Sequence, residues 1–246
     1  MNANTPYDAM FSGVIGQEYD LLKLICPFAT EMSRLVGAKL GELAATHQQS
    51  LQVVELGGGT GITTLAILSA QPDLKVLSID NEPTMQRQAQ QSLKTWVDEG
   101  RLSFSGEDAL TALIAMPSDS VDAIGSAYTL HNFECTYRQK VIQEIFRVLK
   151  PGACFVNGDR YALDDIDAHT RATQQEVAGY FKVLTDIQRL DVLEHWIIHL
   201  FSDESANHVM REAIARQQLA AAGFQQIEFS HRLAVNALLT AIKPLS

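Results

Sequence analysis

Short runs of apolar residues alternate along the chain with stripes of apolar residues at helical spacing. Because the runs are flanked by helical patterns, they are typical of parallel strands buried on both faces of a sheet. The predicted strands are 51–56, 74–79, 102–105, 121–128 and 153–157. Helices are predicted to begin near Thr60, Pro83 and Thr136, and the last should end at Lys150 because Pro151 follows. The alternation predicts an α/β fold with a mostly parallel, doubly wound, Rossmann-like sheet.

Further segments lie outside this alternation. They are 1–46 and 164–222, which carry helical apolar stripes, and a closing pair of predicted strands at 225–230 and 233–242. Ligands of such sheets bind beyond the carboxyl ends of the strands, where extra helices could cover the sheet edge. We therefore predict an N-terminal helical cap over 1–46 and a main domain over 47–246 with a helical lid at about 161–203.

The charge balance argues against nucleic acid as a partner. The 246 residues include 19 lysines and arginines against 29 aspartates and glutamates, so the net charge is −10 and repels a polyanion. The chain also lacks the roughly 18 consecutive apolar residues of a membrane-spanning helix, and its start lacks the features of a signal peptide. We expect a soluble cytoplasmic protein that binds neither nucleic acid nor membranes.

A glycine-rich segment, VVELGGGTG, joins the first predicted strand to the first predicted helix. A phosphate-binding P-loop needs GxxxxGK[ST], and no lysine follows these glycines. A dinucleotide fingerprint, GxGxxG, needs a third glycine where this chain has Ile62. The segment instead reads GxGxG and is preceded by the acidic Glu55. A carboxylate at this position repels a pyrophosphate and suits a cationic ligand.

Further carboxylates follow the next two predicted strands. Asp80 ends the second strand, where a carboxylate can accept hydrogen bonds from ribose hydroxyls, although this feature alone also fits NAD. An acidic turn at 106–109, GEDA, follows the third strand and can accept from an adenine amino group. Together with Glu55, these carboxylates favour a ligand with ribose, adenine and a positive charge but no diphosphate.

These segments resemble the motifs of the class I S-adenosylmethionine (SAM) dependent methyltransferases. VVELGGGTG is similar to the family's glycine motif, LSIDNEP to its ribose-binding strand end and GEDA to its adenine-contacting turn, while VDAIGSAYTLHNF and EIFRVLKPGACFVNGDR resemble the fourth and fifth strand motifs. The resemblance covers about 51–160 in strict order. It implies a seven-stranded sheet in the order 3-2-1-4-5-7-6 with strand 7 antiparallel. It also implies SAM as cofactor and S-adenosylhomocysteine as its product.

The resemblance also implies roles for individual residues. Glu55 and Gly57 are expected to hold the methionine end of SAM, Asp80 the ribose, and the 106–109 turn the adenine. Tyr128 should border the methionine or the transferred methyl group. The cofactor-binding residues predicted in this way are Glu55, Gly57, Gly58, Gly59, Gly61, Asp80, Asn81, Asp108, Ala109 and Tyr128.

Candidate catalytic residues follow strands four and five. His131 could act as a base because an unperturbed histidine titrates near neutrality, although family members often carry a structural histidine here. Tyr128, at the end of the same strand, is the second catalytic candidate. Asp159, Arg160 and Tyr161 are expected to face the same cleft. Arg160 could bind an acidic substrate or pair with Asp159.

Two histidines in EHWIIHL, His195 and His199, are four residues apart and share a helix face. A metal-binding HExxH motif would need glutamate where Trp196 stands, and no third ligand is identifiable, so no metal site is predicted. We predict instead that His195 and His199 bind substrate, together with Tyr19 and Arg160.

The leading functional hypothesis is an enzyme that transfers a methyl group from SAM to a small organic acceptor. One alternative is the enzyme of tRNA wobble modification that converts SAM into carboxy-SAM, whose layout is similar but whose glycine loop differs from GGGTG. Another is a module that retains SAM without transferring its methyl group. Apolar surface on the terminal helices could support a homodimer.

Overall fold

A seven-stranded sheet forms the centre of the molecule in the computed structural model, which describes residues 26–47 and 50–245. Its strands are β1 (Leu51–Leu56), β2 (Leu74–Ile79), β3 (Leu102–Ser105), β4 (Val121–Ala127), β5 (Leu149–Arg160), β6 (Gln225–Leu233) and β7 (Asn236–Ile242). They lie in the order β3-β2-β1-β4-β5-β7-β6. β7 is antiparallel to β5 and β6, whereas the first five strands pair in parallel. The predicted sheet, its order and its reversed seventh strand are confirmed.

Nine α-helices lie within the described residues. They are α1 (Pro27–Ala45), α2 (Ile62–Ala70), α3 (Pro83–Ser92), α4 (Lys94–Asp98), α5 (Ala109–Ala115), α6 (Cys135–Val148), α7 (Ile166–Asp186), α8 (Leu190–Asp203) and α9 (Glu212–Ala222). Local chemistry sets several of their starts: proline stands in the first turn of α1 and α3, and Asp108 and Asp165 cap α5 and α7. None of these helices combines the length and apolarity needed to span a membrane.

Strands β5 and β6 are longer than the predicted strands 153–157 and 225–230. Three other predicted boundaries differ from the structure for a backbone reason. β4 ends one residue early because Tyr128 has a φ of 50°, which an extended strand does not allow. α6 ends before Lys150 because Leu149 is already extended and pairs with Val121 of β4. β7 begins three residues later than predicted because Ala234 has a φ of 52° in the turn after β6.

Apolar clusters cover both faces of the sheet. Consecutive residues of β1 belong to different clusters, Val53 to one and Val54 to the other, as the alternation of side chains along a strand requires. Helix α1 contributes buried residues such as Met32 and Leu40 to the same cluster as Val53. It therefore packs directly on the sheet, and the predicted division into a cap at 1–46 and a main domain stays a prediction.

Helices α7 and α8 form a pair with an apolar cluster of their own. Its buried members are Tyr180, Leu184, Leu193 and Leu200. The two helices occupy the interval in which the lid was predicted, at about 161–203. A separate small core is what an added helical pair needs to be stable beside the main sheet. Its action as a lid remains a prediction.

Candidate active site

A cavity of about 610 Å³ lies at the carboxyl ends of β1, β4 and β5. Gly57, Gly58, Gly59, Glu82 and Met85 line one part, which we call the glycine-loop end. Tyr128, His131, Arg160, Tyr180, Trp196, His199 and Asp203 line the other part, which we call the histidine end. The volume lies within the range of small-molecule sites. The carboxyl edge of a doubly wound sheet is where such sites occur.

The glycine loop needs glycine for two reasons, a close approach at Gly57 and left-handed backbone at Gly57 and Gly59. Gly57 has a φ of 70°, and a Cβ there would lie 1.9 Å from Oγ1 of Thr129. Gly59 has a φ of 51°, and its nearest neighbour for a Cβ is Sδ of Met85 at 4.0 Å. Both conformations are left-handed, which favours glycine. The loop therefore presents bare backbone to the cavity, whereas Gly61 lies outside the cavity wall as the N-cap of α2.

Asp80 ties the glycine loop to β2. Its Oδ2 accepts a hydrogen bond from the backbone N–H of Gly59 at 2.7 Å, and its Oδ1 accepts from that of Glu82 at 2.8 Å. Each carboxylate oxygen keeps further acceptor capacity, so ribose hydroxyls can still be bound. Asn81 is exposed and does not line the cavity, whereas Glu82 does. The ribose contacts of Asp80 and Asn81 remain predictions.

Glu55 lies beneath the glycine loop and is completely buried. Its Oε2 accepts a hydrogen bond from Oγ1 of Thr64 at 2.6 Å, and its Oε1 has no partner among the described residues. Burial raises the pKa of this carboxyl to about 7. The side chain supports the start of α2 rather than the cavity wall, and its predicted role at the methionine end of SAM stays a prediction.

Asp108 is engaged in capping a helix. Its Oδ1 accepts from the backbone N–H groups of Leu110 and Thr111 at 3.1 and 3.2 Å, and its Oδ2 accepts from the hydroxyl of Tyr137 at 2.6 Å. Burial opposes ionisation, but these hydrogen bonds prevail and lower the pKa of Asp108. Neither Asp108 nor Ala109 lines the cavity, so their contacts with adenine remain predictions.

His131 forms a dyad with Asp159. His131 lies in a 3₁₀ turn directly after β4, is 5% exposed, and places its Nδ1 2.6 Å from Oδ1 of Asp159. Burial opposes ionisation of Asp159, but His131 and the backbone N–H of Arg160 lower the pKa of this carboxyl. Because the carboxylate accepts from Nδ1, a neutral imidazole keeps its lone pair on Nε2. His131 lines the cavity, as a catalytic role requires, whereas Asp159 is buried behind it and does not reach the cavity wall.

Tyr128 packs against His131 in a strained backbone conformation, with a φ of 50°. The two rings are edge-on, with 5.7 Å between their centroids, and the Tyr128 hydroxyl donates to Oδ1 of Asn236 on β7. Burial raises the pKa of Tyr128 well above its usual value, so the phenol is neutral at physiological pH. Its catalytic role remains a prediction.

Arg160 is paired with one carboxylate on α7 and one that directly follows α8. Its Nη1 lies 2.6 Å from Oε1 of Glu176, and its Nη2 lies 3.2 Å from Oε1 of Glu204. The alternative of an ion pair with Asp159 is wrong, because Asp159 accepts the backbone N–H of Arg160 instead. Arg160 lines the cavity, so its binding of an acidic substrate stays a prediction, although its charge is already matched.

The two histidines of α8 lie in different surroundings. His199 is half-buried and lines the cavity, with its ring centroid 6.3 Å from that of His131. His195, one turn earlier, is exposed and does not line the cavity. Of the predicted substrate residues, the structure therefore brings His199 and Arg160 together, and Tyr19 lies outside the described residues.

Three acidic residues of this site were not predicted from the sequence: Glu176, Asp203 and Glu204. Asp203 follows His199 by four residues on one helix face, and that spacing was the available signal. Glu176 and Glu204 carried no signal because carboxylates on amphipathic helices usually face solvent. Tyr161, which was expected in the cleft, is instead buried in the core.

The glycine-loop end fits the chemistry of SAM better than that of a diphosphate. It combines bare backbone with the carboxylate of Glu82, and the carboxylate of Asp80 lies directly behind the loop, bonded to the N–H of Gly59. Among the described residues, Arg160 is the only lysine or arginine that lines the cavity, and it lies at the histidine end. A pyrophosphate would thus meet carboxylates and no cation, whereas a sulfonium ion, ribose and adenine suit this environment.

Comparisons with known proteins agree with this fit. A family model described as a methyltransferase domain matches residues 53–152. The chain is 35% identical over 118 residues to a demethylmenaquinone methyltransferase from Leptospira interrogans. This alignment covers 48% of this chain and 46% of the relative. It is 22% identical over 205 residues to a carboxy-S-adenosyl-L-methionine synthase from Hydrogenovibrio crunogenus, covering 80% of this chain and 78% of the relative. A solved O-methyltransferase family protein from Burkholderia thailandensis matches with a TM-score of 0.62 and 15% identity, covering 97% of this chain and 59% of that one.

Residues 53–152 therefore match a methyltransferase domain, and the sheet has the strand order expected of the class I SAM-dependent methyltransferases. SAM is the cofactor of this class, and S-adenosylhomocysteine is the product formed from it. The alignment spans 46% of the length of the Leptospira relative, and the two sequence relatives are named for different reactions.

Proposed function

We propose that the protein transfers a methyl group from SAM to a small organic acceptor. The observation that carries this proposal is the continuity of the cavity, which joins the glycine-loop end to the histidine end. A methyl group held between the two ends would face the polar atoms of His131, His199 and Asp203. The aromatic side chains of Tyr180 and Trp196 offer an apolar surface to the body of the acceptor.

In this proposal the glycine loop holds the methionine end of SAM, Asp80 and Asn81 bind the ribose, and the 106–109 turn contacts the adenine. Bound SAM supplies an electrophilic methyl group on a sulfonium ion. The protein must then align the acceptor with that methyl group and exclude water. Helices α7 and α8 serve both tasks, since Tyr180 and His199 on them line the cavity.

His131 activates the acceptor through Nε2. Asp159 is the positioning residue, because its carboxylate accepts from Nδ1 at 2.6 Å and so keeps the lone pair on Nε2. Tyr128 packs edge-on against the imidazole and limits its rotation. An acceptor whose reactive atom carries a proton needs such a group, whereas the methyl donor needs no activation.

Isothermal titration with SAM and S-adenosylhomocysteine tests the cofactor site. We expect wild-type Kd values on the order of micromolar and at least about tenfold weaker binding to Asp80→Ala, which loses charge-assisted hydrogen bonds. The matched control is Asp98→Ala, because Asp98 pairs with Lys94 on the surface away from the cavity. No binding of SAM to the wild-type chain would refute the proposal.

A panel of hydroxylated aromatic compounds and reduced quinones tests the transfer, with the added methyl group detected by mass spectrometry. Quinones are included because the Leptospira relative is a demethylmenaquinone methyltransferase. His131→Asn should lower turnover by about 10²- to 10⁴-fold with little change in SAM affinity. Unchanged turnover would show that His131 has only a structural role.

Formation of carboxy-SAM is a second candidate, favoured by the alignment with a synthase of that compound over 80% of the chain. A carboxylated ligand needs a cation, however, and the Arg160 guanidinium is already paired with Glu176 and Glu204. Mass spectrometry of the nucleoside that copurifies with the protein separates the candidates. SAM or S-adenosylhomocysteine supports methyl transfer, whereas carboxy-SAM supports the second candidate. SAM retained without turnover on the whole panel indicates a binding module.

We also propose that the protein can form a homodimer. Large apolar side chains are exposed on the first and last described helices, including Phe28 on α1 and Ile214 on α9. Exposed apolar residues of this kind are common at interfaces. Sedimentation equilibrium tests this proposal, and a monomer at all concentrations would contradict it.

A further inference from the structure

Three potential metal ligands converge at the histidine end of the cavity. Nε2 of His131 and Nε2 of His199 lie 3.8 and 3.7 Å from the same oxygen, Oδ2 of Asp203. All three ligand atoms lie within 4.8 Å of one another. In a tetrahedral site with bonds of about 2.1 Å, neighbouring ligand atoms are about 3.4 Å apart. Small side-chain movements would therefore close this set around one ion.

These three atoms make no hydrogen bonds within the part of the chain that the structure describes. The separations of 3.7 and 3.8 Å exceed hydrogen-bonding distance, and Nε of Arg160 lies 3.9 Å from Oδ2 of Asp203. All three ligand residues line the cavity. Polar atoms that converge on a cavity without partners are suited to bind a ligand there.

His131 is already held in the orientation that a metal ligand requires. Its Nδ1 lies 2.6 Å from Oδ1 of Asp159, which leaves Nε2 available to an ion. Histidines that bind metals usually donate their other ring nitrogen to a carboxylate or carbonyl in this way. Asp159 is fixed in turn by the backbone N–H groups of Leu130 and Arg160, at 3.0 and 2.8 Å.

The charges around the site favour a cation. Four carboxylates lie in this network, those of Asp159, Glu176, Asp203 and Glu204. Arg160 faces the last three, and His169 contacts Glu204 at 2.6 Å. The guanidinium of Arg160 lies closer to Glu176 and Glu204, at 2.6 and 3.2 Å, than to Asp203, at 3.9 Å. A divalent ion beside Asp203 would offset the remaining negative charge.

We propose that His131, His199 and Asp203 bind a divalent transition-metal ion. Two imidazoles and one carboxylate suit ions such as Fe²⁺, Co²⁺ and Zn²⁺, whereas Mg²⁺ and Ca²⁺ prefer oxygen ligands. Three protein ligands leave at least one coordination position open. The sequence does not predict this site. The helical spacing there joins His199 with His195, which is exposed in the structure. Neither His131 nor Asp203 is identified there as a further ligand.

The open position suits an oxygen atom of the acceptor. An ion held there would polarise a hydroxyl or enol oxygen, so Nε2 of His131 would activate the acceptor through the ion. This role rests on the proposed methyl transfer, whereas metal binding itself does not depend on it.

Titration of Co²⁺ into the full chain after treatment with a chelator tests the site, because bound Co²⁺ has visible absorption that reports its ligands. We expect one equivalent to bind to the wild-type chain and to bind at least about 100-fold more weakly to His199→Ala. Asp159→Asn, which alters the partner of His131, should weaken binding about 10- to 100-fold. The matched control is His195→Ala, because His195 is an exposed histidine one turn away on the same helix.

The proposal is supported if His199→Ala loses the ion while its circular dichroism and SAM affinity stay at wild-type values. It is overturned if the wild-type chain fails to bind Co²⁺, or if His195→Ala and His199→Ala weaken binding equally. SAM titration of the same samples separates the two proposals. A chain that binds Co²⁺ but not SAM contradicts methyl transfer alone, and one that binds SAM but not Co²⁺ contradicts the metal site alone.

Discussion

The two ends of the cavity are built in opposite ways. At the glycine-loop end, contacts run between neighbouring strands, as where the N–H of Gly59 donates to Asp80 at 2.7 Å. At the histidine end, charged side chains come from distant segments, with Arg160 at the end of β5 meeting Glu176 of α7 and Glu204 after α8. Backbone geometry shapes the first end, and long-range electrostatics shapes the second. Substitutions should therefore act through shape at one end and through charge at the other.

The largest effect is expected when the charge of Arg160 is removed. Arg160→Met would leave Glu176, with a side chain only 22% exposed, without its cation. It would also leave Glu204, 24% exposed, with His169 as its remaining partner. We expect the free energy of unfolding in urea to fall by about 3–5 kcal/mol. Arg189→Met is the control, since its pair with Asp191 is exposed and should contribute less than about 1 kcal/mol. Equal losses would contradict the electrostatic character of the histidine end.

A methyl group added at Gly57 should destabilise the glycine-loop end by steric conflict, without any change of charge. Gly57→Ala places an alanine in a left-handed conformation and also makes its Cβ clash with Thr129. Gly100 has the same φ of 70° but no atom within 4 Å of its Cβ position, so Gly100→Ala adds the left-handed alanine without a clash. We expect a loss of about 3 kcal/mol for Gly57→Ala and about 1 kcal/mol for Gly100→Ala. Thermal and urea unfolding measure both. Matching values would mean that the close approach to Thr129 has no energetic weight.

The buried carboxyl of Glu55 should give a pH-dependent difference. The pKa of Glu55 is raised from 4.5 to about 7 in the folded protein. Between these pH values the carboxyl is ionised in the unfolded chain but still protonated in the folded one, so the fold loses stability as pH rises through this interval. Glu55→Gln removes that loss, and its stability relative to wild type should rise by about 2–3 kcal/mol between about pH 4 and about pH 8. Urea unfolding at both pH values measures it.

The control for Glu55 is Glu31, whose pKa is lowered chiefly by its hydrogen bond with Arg34. Glu31→Gln should show a small difference of the opposite sign, because this carboxyl stabilises the fold above its unfolded pKa. A flat difference between Glu55→Gln and wild type would mean that Glu55 is not ionising within this range.

The smallest effect is expected for Tyr128→Phe. The variant loses only the hydrogen bond from the Tyr128 hydroxyl to Asn236, so we expect a loss of about 1 kcal/mol in unfolding free energy. SAM affinity should stay within about threefold of wild type, since this hydroxyl serves the histidine end. A drop in SAM affinity as large as that of Asp80→Ala would abolish the distinction between the two ends.

The strands around the glycine loop were predictable because their limits are local features. The strands 51–56, 74–79 and 102–105 match β1, β2 and β3, since each is an apolar run that ends at a glycine or an acidic residue. Predictions were less accurate where single residues take unusual conformations. Tyr128 and Ala234, with φ values of 50° and 52°, shorten the fourth and last strands, and nothing in the type of either residue indicates this.

The candidate site divides in the same way. The glycine loop and Asp80 were identified from motifs, because the spacing of glycines and a strand-end carboxylate reflects a backbone shape that short segments encode. The pairing of His131 with Asp159 was not predicted, although each residue was noted separately, since it depends on the register between β4 and β5.

Residue order was enough to define an α/β chain with a glycine loop and a strand-end carboxylate, because both follow from local periodicity and turn chemistry. The histidine end could not be read in that way. His195 and His199 obey the same helical spacing, yet the packing of α8 turns His199 to the cavity and leaves His195 in solvent. Glu176 and Glu204 read as surface charges until the fold brings Arg160 between them. The free energy of a charge depends on its burial and its neighbours, and distant parts of the chain supply both.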